Sequence, residues 1–193
     1  AYESMGPEDA PPVILIMGLG AQMHVWPTSL CQRIVDAGFR VIRFDNRDTG
    51  ASTSLDEHGN PSLIRVWLGR RLNRKPRVPY TLKDMSRDVV ALMDELGLPS
   101  AHLIGASMGG MIAQILAAKK RKRVRSLTSI MSSASAPKVP VSQLQVMLKL
   151  ARRPLQRNRD EHFRYITRMS EVIGSPGYPM SEAEIQRLAE TSW

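Results

Sequence analysis

The amino-acid sequence predicts an α/β fold: a mostly parallel sheet with flanking helices, followed by a segment that is helical only. Three observations lead there. Short, continuous apolar runs alternate with amphipathic helical patterns through residue 136, and such alternation implies strands paired in parallel through helical crossovers. The strand-like runs end in glycine- or turn-rich stretches, as strands covered on both faces do when they pass into a loop. After Ala134 the strand signal stops. The chain therefore reads as a sheet-bearing core over 1–136 and a helical segment over 137–193, with no internal repeat.

The elements follow in order. Val13-Ile14-Leu15-Ile16-Met17 is apolar throughout and ends in Gly18-Leu19-Gly20, which suits a strand buried on both faces. Residues near 27–37 read as a helix stopped by Gly38. Val41-Ile42-Arg43-Phe44 is the next strand, and Asp45-Asn46-Arg47-Asp48-Thr49-Gly50 the loop after it. A long polar and basic connection runs to about residue 80. The clearest helix spans 82–96: Thr81 caps it, Asp84 completes a capping box, Gly97 and Pro99 close it. Its apolar positions Leu82, Met85, Val89, Leu92, Met93 and Leu96 fall on one face. Then come Ala101-His102-Leu103-Ile104 as a strand, 108–119 as a helix and Val124 to Met131 as a strand. Beyond Pro137 and Pro140, Leu144, Met147, Leu148 and Ala151 share one helical face, and Phe163, Ile166 and Ile173 another. Ser181 begins a third helix with Glu184 as its capping-box partner.

Composition narrows the function. A chain of 193 residues, 42% hydrophobic and 23% charged, is globular in composition and long enough to bury a core. No stretch is apolar enough to span a bilayer. Cys31 is the sole cysteine, which excludes an intramolecular disulfide and argues against a zinc cluster. The N-terminus AYESMGPEDA lacks a basic start followed by an apolar stretch, so a reducing, cytoplasmic setting is expected. The net charge of +9 gathers in Arg70, Arg71, Arg74, Lys75 and Arg77, and again in Lys119, Lys120, Arg121, Lys122, Arg123 and Arg125. Aromatic residues make up only 5% and are not interleaved with these bases, as a single-strand nucleic-acid binder would require. A solvated loop and a helix C-terminus, where cations suit the macrodipole, account for both clusters.

The informative motif is Gly105-Ala106-Ser107-Met108-Gly109-Gly110, set between a strand and a helix. Gly-x-Ser-x-Gly places a serine on a strained turn that lifts its hydroxyl above the sheet. Side chains two positions to either side would strike backbone, so glycine belongs there. A random chain of this length contains the pattern about 0.07 times, and the strand–helix context makes chance rarer still. A nucleophilic serine also needs backbone N–H groups aimed at the developing oxyanion. One comes from the residue after it, Met108; the other comes from the loop after the first apolar strand, Met17-Gly18-Leu19-Gly20-Ala21-Gln22, with Leu19 the expected donor. No phosphate loop, metal-ligand spacing or dinucleotide fingerprint accompanies the serine, so no cofactor and no metal are expected. Gly18-Leu19-Gly20 lacks the third glycine of a dinucleotide turn.

The segments PPVILIMGLGAQMHVWP, FDNRDTGAS and HLIGASMGGMIAQ resemble the α/β-hydrolase superfamily, and in particular its branch of aclacinomycin methylesterase-like esterases. The resemblance covers essentially all of residues 1–136, with the three motifs in the family's order. It implies Ser107 as nucleophile, the Leu19 and Met108 amides as oxyanion hole, and a structural role beside the active site for Asp45, Arg47 and Gly50. It also implies that the helices after 136 form a lid. Many relatives carry His-Gly where this chain has Met17-Gly18, a change that leaves a backbone donor intact.

A second departure concerns the rest of the catalytic set. The family's acid and histidine follow the nucleophile in the chain, but only His162 follows Ser107 here, inside an expected lid helix. The neighbouring Asp160 and Glu161 read as an exposed helix start. The end of the strand near 131 offers Ser132, Ser133 and Ser135 but no carboxylate. His102 lies five extended residues before Ser107, roughly 16 Å away, and reads as core or rim packing. His24 is a candidate substrate contact at the pocket mouth, and His58 sits in a polar loop. The expectation is a serine esterase acting on a small apolar ester. Its acid and histidine would come from a C-terminal continuation or companion polypeptide carrying the last strands, so that these 193 residues alone would be inactive. The alternatives are a hydrolase-like protein that binds a small ligand without turnover, or an inactive fragment; acyl transfer or perhydrolysis by the same serine is a further enzymatic reading.

Overall fold

In the computed structural model, which describes residues 1–55, 78–134, 158–175 and 177–191, two compact units separate after Ala134. In the first, the apolar runs become strands: β1 (Tyr2–Met5), β2 (Pro12–Ile16), β3 (Arg40–Phe44), β4 (Ala101–Ala106) and β5 (Val124–Ile130). They form one sheet in the order β1-β3-β2-β4-β5. β2 lies parallel to both β3 and β4, and β4 lies parallel to β5. The helices are α1 (Thr28–Asp36), α2 (Leu82–Glu95) and α3 (Met108–Lys119).

Strand side chains alternate between the two faces, and each face builds its own core. Ile14, Ile16, Ile42, Phe44 and Leu103 pack with Met85, Val89 and Met93 of α2 and with Ile112 and Leu116 of α3. Val13, Leu15 and Val41 pack on the other side with Trp26 and with Cys31 of α1. Burial pushes the Cys31 thiol above its ordinary range, against a smaller opposing pull from Arg43. α2 carries the expected capping box: Thr81 donates to Asp84 Oδ2 from its amide (2.9 Å) and its hydroxyl (2.7 Å), and these bonds lower the Asp84 pKa.

Two features differ from the sequence reading. β1 is an additional strand, paired antiparallel on β3 with Tyr2 opposite Phe44 and Met5 opposite Val41. It is four residues long and half-exposed, so its apolar signal is weak and its place is set by its partner. β4 also runs two residues past Ile104, directly into Ser107. Beyond the sheet, Arg123 holds Asp94 (2.6 Å) and the Leu98 carbonyl (3.0 Å), and Arg125 holds Ser100, so two cations of the second basic cluster brace neighbouring loops.

The second unit contains α4 (Arg159–Ile173) and α5 (Glu182–Thr191), which pack on each other. The Asn158 side chain caps α4 by accepting from the Glu161 amide at 2.8 Å. Ser181 and Glu184 form the expected box at the start of α5. Among the described residues no helix is long and apolar enough to cross a membrane. The helical face of Leu144, Met147, Leu148 and Ala151, the basic cluster from Arg70 to Arg77, His58, Ser135, Pro137 and Pro140 lie outside the described residues.

Candidate active site

Ser107 stands between the end of β4 and the first residue of α3, with φ 53° and ψ −119°. An L-residue reaches that left-handed conformation only where its surroundings enforce it, and here they do. The Ser107 amide donates to the Ile130 carbonyl at the end of β5 (2.9 Å). Its carbonyl accepts from the Gly110 amide (3.0 Å), the Met111 amide (3.4 Å) and the Ser132 hydroxyl (2.7 Å). The strained residue is thus tied to the following helix and to the neighbouring strand at once, while its side chain stays exposed.

The glycines around it have no room for a side chain. A Cβ on Gly105 would strike the Gly109 carbonyl group and stand 2.6 Å from the Gly110 nitrogen. One on Gly109 would strike the Ile16 carbonyl oxygen and stand 2.8 Å from that of Met17, and one on Gly110 would lie 2.6 Å from Ser132. β4 and α3 approach each other, and α3 approaches the end of β2, at distances only glycine permits. The same closeness brings in the first loop: a Cβ on Gly18 would lie 3.2 Å from Ser107 Cβ and 3.6 Å from its Oγ. Leu19, the next residue, is 73% exposed. Met108 opens α3, so its amide is among those with no acceptor inside the helix. The positive end of α3 also lies at Ser107.

The loop after β3 sits at the root of this arrangement. Asp45 and Asn46 are buried polar residues. Asp45 Oδ1 accepts from the Met23 amide (2.7 Å) and Oδ2 from the Ala51 amide (3.1 Å). A Cβ on Gly50, at φ 55°, would collide with that carboxylate, which accounts for the glycine. Asn46 Nδ2 donates to the Met17 carbonyl at 2.9 Å. Arg47 points away and forks onto Asp88 of α2 (2.7 and 2.5 Å) with its guanidinium over the Tyr80 ring. Asp45, Arg47 and Gly50 were recognisable in the sequence as loop residues. The parts played by Asn46 and Ser132 were not, because each bonds a backbone carbonyl remote in sequence.

The histidines go elsewhere. His24 Nε2 stands 3.8 Å from Glu3 Oε1, and Glu3 is also held by the buried Arg43. His102 Nδ1 is 2.7 Å from Ser126 Oγ, with its ring edge-on to Phe39. His162 belongs to α4 of the second unit, where burial holds its pKa below the ordinary histidine range. Asp160 and Glu161 fill the first turn of that helix. The described residues of the first unit therefore present an exposed serine beside Gly18 and the start of α3, with neither His24 nor His102 engaged to it. Among the described residues no group of three or more His, Cys, Asp or Glu side chains is placed to hold a metal.

Comparison with known proteins adds the following. A family model described as alpha/beta hydrolase fold matches residues 11–165. A putative carbamate hydrolase RutD of Variovorax paradoxus is 33% identical over 129 residues, 67% of this chain and 41% of that protein. The rhodomycin D methylesterase DnrP of Streptomyces peucetius is 32% identical over 133 residues, 68% of this chain and 38% of the relative. The crystal structure of the enol-lactonase from Burkholderia xenovorans superposes with a TM-score of 0.50 at 28% identity, covering 66% of this chain and 41% of the enol-lactonase. The matched chain spans about two fifths of the length of these relatives.

Proposed function

Since the chain belongs to the alpha/beta hydrolase fold family, we propose that it is the nucleophile-bearing part of a serine hydrolase that cleaves small apolar carboxylic esters. The observation that carries the reading is the geometry at Ser107: a left-handed serine, exposed and braced, with glycines on both sides that admit no Cβ. A strained residue held this firmly is the mark of a functional turn. The names methylesterase and enol-lactonase among the relatives and neighbours denote hydrolysis of carboxylic esters, open-chain or cyclic.

In the proposed reaction Ser107 Oγ attacks the ester carbonyl and loses its proton to a histidine. The carbonyl oxygen takes up the negative charge beneath the amides of Leu19 and Met108. Collapse expels the alcohol, which receives that proton, and leaves an acyl-serine. Water, activated by the same histidine, then releases the acid and restores the serine. The histidine and its acid come from a C-terminal segment outside these 193 residues, continuous or separate. Two observations favour this: the chain spans about two fifths of its relatives, and among the described residues β5 is an edge strand whose Leu127 and Ile130 are more than a third exposed. An unpaired strand edge is a template for another strand. In this reading residues 137–193 are the helical cap that selects the substrate, no cofactor takes part, and the protein works in the cytoplasm.

The test uses the complete enzyme, a fluorophosphonate and p-nitrophenyl esters. Intact mass should show one label on the chain bearing Ser107, and Ser107→Ala should abolish labelling and lower kcat at least about a thousandfold with the fold unchanged. Turnover that survives in Ser107→Ala overturns the proposal. Binding of an ester by wild type without labelling or turnover would establish the ligand-binding alternative instead.

A further inference from the structure

The loop that carries Leu19 is exposed at its tip, while Ala21 behind the tip packs on the core cluster that holds Met17 and Trp26. Leu19 is 73% exposed, and a Cβ on Gly20, at φ 67°, would meet no described residue beyond its chain neighbours within 4 Å. Across the tip, the Ala21 amide reaches the Gly18 carbonyl at 3.4 Å, a long bond. Yet a loop that lends an amide to an oxyanion must keep that amide fixed before the charge appears, because preorganisation is what makes such a donor effective. Buried side-chain hydrogen bonds from the loop after β3 hold its two ends. The carbonyl of Met17, where the chain leaves β2, accepts from Asn46 Nδ2 at 2.9 Å; the amide of Met23, where the chain enters its next turn, donates to Asp45 Oδ1 at 2.7 Å. Both bonds are buried, and both come from consecutive side chains at the end of β3.

We infer that Asn46 is a positioning residue for this reaction: with Asp45 it clamps the two ends of the 17–23 loop and so fixes the Leu19 amide relative to Ser107. The inference rests on the hydrolase reading above. Asp45 is itself immobilised by the Ala51 amide and by the close packing of Gly50 against its carboxylate. The clamp is therefore continuous with the sheet. Asn46 is suited to the Met17 end because it must donate: an aspartate of the same shape would face the Met17 carbonyl with an acceptor.

The experiment compares Asn46→Asp and Asn46→Ala with Arg47→Gln in the complete enzyme. Arg47 lies in the same loop and braces α2 through Asp88, so it serves as the control for loss of stability alone. Both Asn46 variants should lower kcat about 10- to 100-fold, part of what deletion of a whole oxyanion donor causes, with KM within about twofold. The Ki of a trifluoromethyl ketone, whose adduct with serine bears the same oxyanion, should rise by the same factor as kcat/KM falls. Arg47→Gln should reduce Tm and leave kcat and that Ki unchanged. The inference is overturned if the Asn46 variants lose no more kcat than Arg47→Gln, if only KM moves, or if the ketone Ki stays put. Should Asn46→Asp fail to fold, Asn46→Ser, small and neutral, carries the same comparison. Ser107→Ala runs alongside: turnover surviving there removes the hydrolase reading and this inference with it, whereas a dead Ser107→Ala beside fully active Asn46 variants removes the inference alone.

Discussion

The turn at Ser107 and the helices α4 and α5 secure their backbones by different means. At the turn, Gly105 and Gly109 meet the backbone of other elements and Gly110 meets the Ser132 side chain where a methyl would stand, and Ser107 is held by β5, α3 and Ser132. In α4 and α5 the capping bonds are local: Asn158 caps toward Glu161, and Ser181 exchanges bonds with Glu184, each over three residues. Gly177, between those helices, would place a Cβ no nearer than 3.9 Å to any described residue beyond its chain neighbours. The contrast shows where tolerance ends. Chemistry that needs atoms placed to a fraction of an ångström is built from long-range contacts with no slack, whereas a helix pair built on caps and an amphipathic face absorbs change.

The largest test of that contrast exchanges glycine for alanine in both places. Gly109→Ala should cost about 1–3 kcal/mol through overpacking and eliminate fluorophosphonate labelling, since the methyl drives α3 away from β2. Gly177→Ala should alter neither Tm nor labelling. Equal effects at the two positions in a thermal melt would dissolve the distinction. A smaller effect belongs to Ser132→Ala, which removes one of the three donors to the Ser107 carbonyl. Two donors remain, so the loss should be about 1 kcal/mol, with labelling slowed several-fold and not abolished. A labelling rate equal to wild type would show that Ser132 is not needed to hold the turn.

The smallest effect sharpens the other side of the comparison. His162 titrates below its unfolded value because it is partly buried, a bond to the Ala189 backbone opposing the shift in part. Protonation therefore favours the unfolded state. The stability tied to this group is complete above the unfolded histidine pKa of about 6.5 and is lost as pH falls from there through the lower folded value. The protection factors of the α4 amides, exchange rates corrected for the intrinsic slowing of exchange with acid, should fall in that window, and His162→Gln should flatten the dependence. Identical pH profiles for the two proteins would refute it.

Much of this was legible in the residue order. The alternation of apolar runs with helical patterns, the Thr81–Asp84 and Ser181–Glu184 boxes and the glycines flanking Ser107 are local signals, and local physics places them. β1 was not legible, because Tyr2-Glu3-Ser4-Met5 becomes a strand only by pairing with β3. Nor were Asn46 and Ser132 legible at the site. An asparagine in a polar loop looks like any turn residue until the Met17 carbonyl is seen 2.9 Å from its amide nitrogen. Side chains that act on distant backbone leave no periodic trace in a sequence.

The order of strands in the sheet has a consequence in time. The Leu19 loop leaves the end of β2 and Ser107 the end of β4, and these two strands are neighbours at the centre of the sheet although Val13 must find His102 to pair them. Such a distant pairing closes a long loop before it gains any contact, so it forms slowly. The α2 helix can nucleate from its own cap long before Ser107 meets the 17–23 loop. During refolding, helical signal should therefore return first and reactivity toward the fluorophosphonate last, making the serine a chemical clock for the moment the centre of the sheet zips shut.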